Sequence, residues 1–570
     1  MNRNRLASHA AAALIAAAAG DALGWPQEPR GGLVGGDKAR AQREPRPAFD
    51  NWQRRGGSRF LSYVEPVAAG SYSDDTQLQL AVARSLLATG DWRRHFTQME
   101  LPAWPVYQRG GGRAVLRASN IWAKNSVPWR SGRATTDKAV RDYHQAGANG
   151  VAMRIAPHVI WGLASERNLE ETLQQVVMDG ITTHGHPRAL IGAMAYAASL
   201  EFALQATQVV GPQDLLKEAR RALLPASMVT SWLPDGFFTS LSQDQFDFEW
   251  TQTLREMGDL LDMVESSLNR GSLSRTTGTM RDLGALDKAT NGAGTVSAAA
   301  AIFLAARSGT RPLSGLVQAA FETESDTDTI ASMTGALLGA IHGTEWLGAL
   351  AKVQDHVYLR DIGQALALGT TIRESNTHRP NPAALQRELE SADARDGTFV
   401  DGRRFLVRDR EELSSGPAWV LRVNLELEDG QTICVDYAHR SAPRAMERSS
   451  SRAEPLFTAE EVASAPQSAA LRGIQAVIDS GDVKGVHDFY ERLLGEVQPI
   501  RDGTFHLSDA VAFGQAKSGT PTLGIRLEVV VADLSGVLRK AGGVRVEEQG
   551  AHSATIRDPE GRIVLLLERS

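Results

Sequence analysis

SDTDTIASMTGALLGAIHG, residues 325–343, opens with Asp326-Thr327-Asp328-Thr329, side chains of the kind that begin helices. Ile330, Met333, Leu337 and Ile341 follow at helical spacing, while Ala331, Gly335, Gly339 and Gly343 recur every four residues along another face. Glycine inside a helix costs about 1 kcal/mol relative to alanine, so close packing against a second helix is the expected reason for that smooth stripe. Far upstream, Ser73-Asp74-Asp75-Thr76-Gln77 precedes Leu78, Val82 and Leu86 in the same way. Two helices with acidic starts, set in long Ala- and Leu-rich stretches, predict an all-helical domain over residues 1–370.

Capping alone accounts for one acidic group per helix. Each cluster here carries two carboxylates, whose repulsion in a dry site is costly unless a cation lies between them. Carboxylate and hydroxyl oxygens without soft ligands nearby suit hard ions such as Mg²⁺ or Mn²⁺.

The 570 residues, 42% hydrophobic and 22% charged, describe an ordinary globular chain with room for several domains. A net charge of -6 and a pI near 6.2 provide no field to draw the whole chain onto nucleic acid or an anionic membrane. One cysteine, Cys434, excludes an intrachain disulfide or a cysteine zinc cluster, and the expected location is the cytoplasm. Arg3, Arg5 and the Ala-rich run 10–19 imitate a secretory signal, but cleavage there would cut into Gly20-Asp21-Ala22-Leu23-Gly24, which belongs with the active domain. No run is expected to reach the roughly 20 apolar residues that span a bilayer.

Beyond residue 370 the pattern changes. Arg379-Pro380-Asn381-Pro382 breaks any helix, and residues 419–437 alternate around the turn Asp429-Gly430, so 371–470 reads as a β-hairpin region followed by a Ser-, Arg- and Pro-rich linker. Trp419 and Tyr437 read there as core residues. Residues 471–570 read as strand (474–478), helix (483–494) and strand material (505–513), then the same order again (525–531, 534–541, 545–548, 563–567), an α+β domain of repeated βαββ modules.

Five motifs in order resemble the ADP-ribosylglycohydrolase family, which includes dinitrogenase-reductase-activating hydrolases and ADP-ribosylarginine hydrolases. They are Gly20-Asp21-Ala22-Leu23-Gly24 with Glu28, Ser73-Asp74-Asp75-Thr76-Gln77, Asn149-Gly150 with Ala152-Met153-Arg154, Thr183-His184, and Asp326-Thr327-Asp328-Thr329. The resemblance implies a metal-dependent hydrolase that cleaves the glycosidic bond between ADP-ribose and a modified protein or nucleic-acid target. It assigns Ser73, Asp74, Asp75, Asp326, Asp328 and Thr329 to two Mg²⁺ or Mn²⁺ ions, and Asp21, Asn149, Gly150 and His184 to the substrate. Taken alone, a histidine before Gly185 reads as a helix-end or surface residue. Glu28 is expected to assist substrate or water, and Asp74 or Asp75 to take the proton of the attacking water. Residues 30–70, long, charged and proline-containing, are expected to form a lid over the site.

The last hundred residues resemble the vicinal-oxygen-chelate (glyoxalase and bleomycin-resistance) superfamily through His487-Asp488-Phe489-Tyr490-Glu491, Leu494-Gly495 and Asp558-Pro559-Glu560-Gly561. Its metal positions would fall on Gln475, Glu528 and Glu568. None of these is histidine, and His487, His506 and His552 lie elsewhere, so a degenerate binding or packing module is the simpler reading. The rival to an enzyme is a non-catalytic ADP-ribose sensor with a C-terminal signalling module. The intact acidic positions favour catalysis.

Overall fold

The Ala-rich N-terminal run forms the Arg3–Gly24 helix, buried from Ala10 onward within a mostly helical unit. The computed structural model describes residues 2–439 except 58–61, 240, 372–379, 392 and 414–418, and beyond them residue 484 and the backbone of seven strands. By length and composition the helical stretch Arg3–Gln27 could cross a bilayer, against the expectation from sequence, yet it lies enclosed by other helices. Alanine makes that enclosure possible, because its small side chain lets neighbouring backbones come close on every side.

The glycine stripe packs against this helix. Added Cβ atoms at Gly335 and Gly339 would lie 2.2 and 2.4 Å from the carbonyl oxygens of Ala16 and Ala12. Reciprocally, Gly20 and Gly24 face the carbonyls of Ala331 and Thr327 at 2.2 and 2.3 Å. The fourth member differs: Gly343 ends the Thr327–His342 helix at φ 76° with open space around it, so it is a C-cap and not a packing residue. Gly335→Ala gains about 1 kcal/mol of helix propensity. The clash is with rigid backbone, however, so the helices must separate, and overpacking of this kind costs about 1–3 kcal/mol. The expected result is a lowered urea midpoint; an unchanged or raised midpoint would refute the close contact.

Residues 30–70, expected to form a lid, are described except for 58–61. They contain the antiparallel hairpin β1 (Trp52–Gly57) and β2 (Ser62–Val67), which makes the N-terminal region helical with one β-hairpin instead of all-helical. The hairpin docks on Trp25, whose ring meets Trp52 edge-on at 5.1 Å and lies under the guanidinium groups of Arg54 and Arg109. From the other side, Arg422 donates to the Pro66 carbonyl at 3.2 Å.

Arg422 belongs to a four-stranded antiparallel sheet of β3 (Asp396–Thr398), β4 (Arg404–Leu413), β5 (Trp419–Leu427) and β6 (Thr432–His439), larger than the single hairpin the sequence suggests. No described helix runs through the prolines at 380 and 382, but a new one starts at the second. Asn381 caps a new helix, Pro382–Leu389, and Pro382 takes its first position, where no N–H is needed. Trp419 and Tyr437 pack half-buried against the core. The sheet shares a compact unit, residues 1–451, with the helices. Arg84, in the Asp74–Leu87 helix, joins them by pairing with Glu100 at 2.7 Å and donating to Gln431 at 3.0 Å.

Among the described residues of the second unit, 452–570, the strands form two small sheets. In one, β7 (Ala476–Ser480) lies parallel to β9 (Val511–Gln515), which pairs antiparallel with β8 (Thr504–Ser508). In the other, the order is β10 (Arg526–Val531), β13 (Ile563–Glu568), β12 (Ser553–Arg557), β11 (Val546–Gln549), with β10 parallel to β13. Strand β12 has no counterpart in the sequence reading. In each sheet the first strand runs beside and parallel to the last, a pairing that requires a crossover connection. The expected helices at 483–494 (residue 484 apart) and 534–541, together with Gln475, His487, His552 and residues 558–561, lie outside the described residues, as do the side chains of His506, Glu528 and Glu568.

Candidate active site

A cleft of about 660 Å³ opens where the starts of the Asp74–Leu87 and Thr327–His342 helices meet. Glu28, Asp74, Asp75, Asp326, Asp328 and Thr329 line it on one side, and Asn149, Gly150 and His184 also face it. Among the described residues of 30–70, Arg30 reaches the cleft, donating to the Lys288 carbonyl at 3.2 Å.

Two expected site residues lie one layer behind the cleft lining. Ser73 caps its helix, its hydroxyl accepting from the Asp75 N–H at 3.2 Å. Asp21, fully buried, accepts from the N–H groups of Ser73 and Thr76 at 3.0 and 3.1 Å and from the Thr76 hydroxyl at 2.6 Å. Asp21 therefore pins the turn that presents Asp74 and Asp75, where the sequence reading had it touching substrate. Over the same turn the chain passes at Gly110, with φ 94°, where an added Cβ would come within 3.0 Å of an Asp74 carboxylate oxygen.

The acidic side is electrostatically strained. Burial, then the charges of Asp21, Asp74 and Asp326, push the Asp75 carboxyl well above the usual range. Burial and Asp21 raise Asp74 to about 7, and burial and Asp326 raise Glu28 to about 8. Asp328 is likewise pushed up, by burial first and then by Asp326, Asp75 and Glu28. Buried carboxylates that raise one another in this way are relieved by a proton or a cation between them. Oδ1 of Asp75 is buried with no hydrogen-bond partner.

These features fit a hard divalent ion: an orphaned Asp75 carboxylate oxygen, and the buried carboxyls of Asp74, Asp75 and Asp328 sharing one cleft with Asp326 and the Thr329 hydroxyl. Among the described residues, no three His, Cys, Asp or Glu side chains gather around one point at ligand distance. The donors share a cleft but are not drawn into a finished shell, as expected of mutually repelling groups.

The Asn149 amide donates to Ser297 at 3.0 Å and to Asp326 at 3.2 Å, so Asn149 orients an acidic residue as well as facing the cleft. The sequence reading missed the cations of the cleft lining, Arg30, Arg113, Arg117, Arg188 and Lys288. Isolated arginines in loops and helix starts carry no pattern that marks them. It also missed the partners of Arg154, which is wholly buried.

Residues 2–376 match the family model described as ADP-ribosylglycohydrolase. That match ends before the last hundred residues, so their resemblance to the vicinal-oxygen-chelate superfamily gains no support from it. A solved structure titled "ADP-ribosylglycohydrolase-related protein complex" is similar over 65% of this chain and 100% of its own, with 19% identity and a TM-score of 0.42. No curated protein matches. With its motifs in order and the family match running from residue 2 to residue 376, the chain belongs to the ADP-ribosylglycohydrolase family.

Proposed function

We propose that this protein hydrolyses the glycosidic bond between ADP-ribose and a modified protein or nucleic-acid target, using two Mg²⁺ or Mn²⁺ ions. The observation that carries the reading is the convergence of Glu28, Asp74, Asp75, Asp326 and Asp328, from three distant parts of the chain, on one cleft. Asp74, Asp75, Asp326, Asp328 and Thr329 would hold the ions, with Ser73 supporting them through its helix cap. When bound, such ions lower the pKa of a coordinated water and anchor sugar hydroxyls.

The chain's own groups supply the remainder. An aspartate of the 74–75 pair accepts the proton of the attacking water, and Glu28 orients substrate or water. Asn149, Gly150 and His184 line the cleft for the nucleotide. Departure of the target leaves positive charge on the anomeric carbon, which neighbouring carboxylates stabilise.

The test is release of free ADP-ribose from arginine-, serine- and nucleic-acid-linked substrates. Chelation is expected to abolish release, and added Mg²⁺ or Mn²⁺ to restore it. Tight binding of ADP-ribose with no release from any substrate would establish the sensor reading instead, and release unaffected by chelation would remove the metals from the mechanism.

A further inference from the structure

Arg154 is buried without any exposure and bonds to Gly150, Asp179 and Thr183 behind the cleft lining. Its Nε donates to an Asp179 carboxylate oxygen at 2.8 Å, and one terminal nitrogen donates to the Gly150 carbonyl at 2.6 Å. The other terminal nitrogen donates to the Thr183 hydroxyl at 2.9 Å. The second carboxylate oxygen of Asp179 lies 3.3 Å from His158 Nε2, so the counter-charge is itself held. One guanidinium thus ties Gly150 and Thr183, the neighbours of Asn149 and His184, to a single rigid group.

Proton counting along this chain has a consequence. Arginine only donates, so the Thr183 oxygen must be the acceptor of that bond. The hydroxyl has one proton of its own, and His184 Nδ1, at 2.7 Å, is the acceptor within reach. Thr183 is 1% exposed, and a buried hydroxyl proton left without an acceptor costs about 1–3 kcal/mol, so the proton goes to Nδ1. Nδ1 is then unprotonated, and the ring proton of a neutral His184 sits on Nε2. The Cε1–Nε2 edge lies against Gly150, where an added Cβ would come within 3.0 Å of Cε1 and 3.3 Å of Nε2, and both residues line the cleft.

We propose that Arg154, acting through Thr183, fixes His184 as the Nε2–H tautomer, so that this wall offers the bound nucleotide a hydrogen-bond donor and not a base. The group of the ligand facing His184 is accordingly an acceptor, a phosphoryl or ribose oxygen. Arg154 and Thr183 are positioning residues. The ligand half of this proposal rests on the ADP-ribose reading above; the tautomer does not. The charged groups facing His184, Arg154 and Arg117 on one side and Asp179 on the other, act together with burial, and the largest influence, burial, holds the ring neutral, with its pKa lowered to about 3.

The test uses the full chain labelled with ¹⁵N-histidine, with the His184 signals assigned by their loss in His184→Gln. The wild type is expected to show the Nε2–H tautomer unchanged from pH 6 to 8. Thr183→Ser should keep that signature, and Thr183→Val should lose it and bind ADP-ribose about tenfold more weakly. An Nδ1–H tautomer or an imidazolium in the wild type at pH 7, or Thr183→Val with the wild-type signature, would overturn the proposal. If the signature is as expected but the wild type does not bind ADP-ribose, the ligand assignment fails together with the functional reading, while the positioning role of Arg154 and Thr183 stands.

Discussion

Asp328→Asn is expected to lower ADP-ribose release by about a thousandfold or more while making the metal-free protein more stable. The loss follows from removing a charged group on which the proposed ion site and the developing positive charge both depend, effects worth two to three orders of magnitude each in comparable sites. The gain has the opposite origin. Asp328 is only 7% exposed, and burial with Asp326, Asp75 and Glu28 nearby disfavours its ionised form. Asparagine has nearly the same shape without the charge, so the repulsion disappears and little packing changes. In the presence of chelator the melting temperature should rise by roughly 2 °C, the change that about 1 kcal/mol produces in a domain of this size class. Calorimetry in chelator and the release assay, run on the same preparation, check both halves. A variant that is less stable and still active would show that Asp328 is an ordinary structural carboxylate.

Glu65→Gln is expected to cost about 3–5 kcal/mol of stability, the usual penalty for removing one partner of a buried ion pair. Glu65, 2% exposed, faces Arg109 Nε at 2.9 Å, Arg54 Nε at 3.3 Å and a terminal nitrogen of Arg422 at 2.9 Å. Asp436, bound to Arg422 at 2.7 Å, would remain as the nearby counter-charge for three guanidinium groups. Burial alone would raise the Glu65 pKa, but Arg109, then Arg54 and Arg422, bring it down from 4.5 to about 2. A carboxylate with a depressed folded-state pKa stabilises the fold above its unfolded pKa and loses that contribution as pH falls through the folded value. The wild type should therefore lose about 3 kcal/mol between about pH 4.5 and 2 through this residue, and the glutamine variant should show a correspondingly flatter acid limb. Urea denaturation across that range reads both effects; parallel acid limbs would show that Glu65 is not the group responsible.

The glycine stripe, the two acidic helix starts and the change of character beyond residue 370, with its alternating stretch at 419–437, were legible because each is a local pattern. Periodicity shows which face of a helix is smooth, and Ser, Thr and Asp before an apolar repeat show where it begins. The hairpin β1–β2 escaped because its strands, Trp52–Gly57 and Ser62–Val67, carry arginines, glycines and a proline where alternating apolar residues would advertise a sheet. They are strands because Trp25 and the sheet bearing Arg422 pack against them. Asp21 was assigned to substrate for a related reason: a carboxylate that binds a ligand and one that binds a backbone turn look the same in a string of letters.

Read alone, the residues establish a helical scaffold, two carboxylate pairs poised at helix starts, and motifs in the order of a hydrolase family. That much depends on contacts between residues a few positions apart, which helical geometry dictates. Packing adds what local geometry cannot supply. It turns the Asp74–Asp75 and Asp326–Asp328 pairs toward one cleft, withdraws Asp21 behind it, and places Arg154 where it can hold Gly150 and Thr183 together. These arrangements join residues up to some hundreds of positions apart. They follow from how closely glycine and alanine let the helices approach, a quantity that exists only once the helices have met.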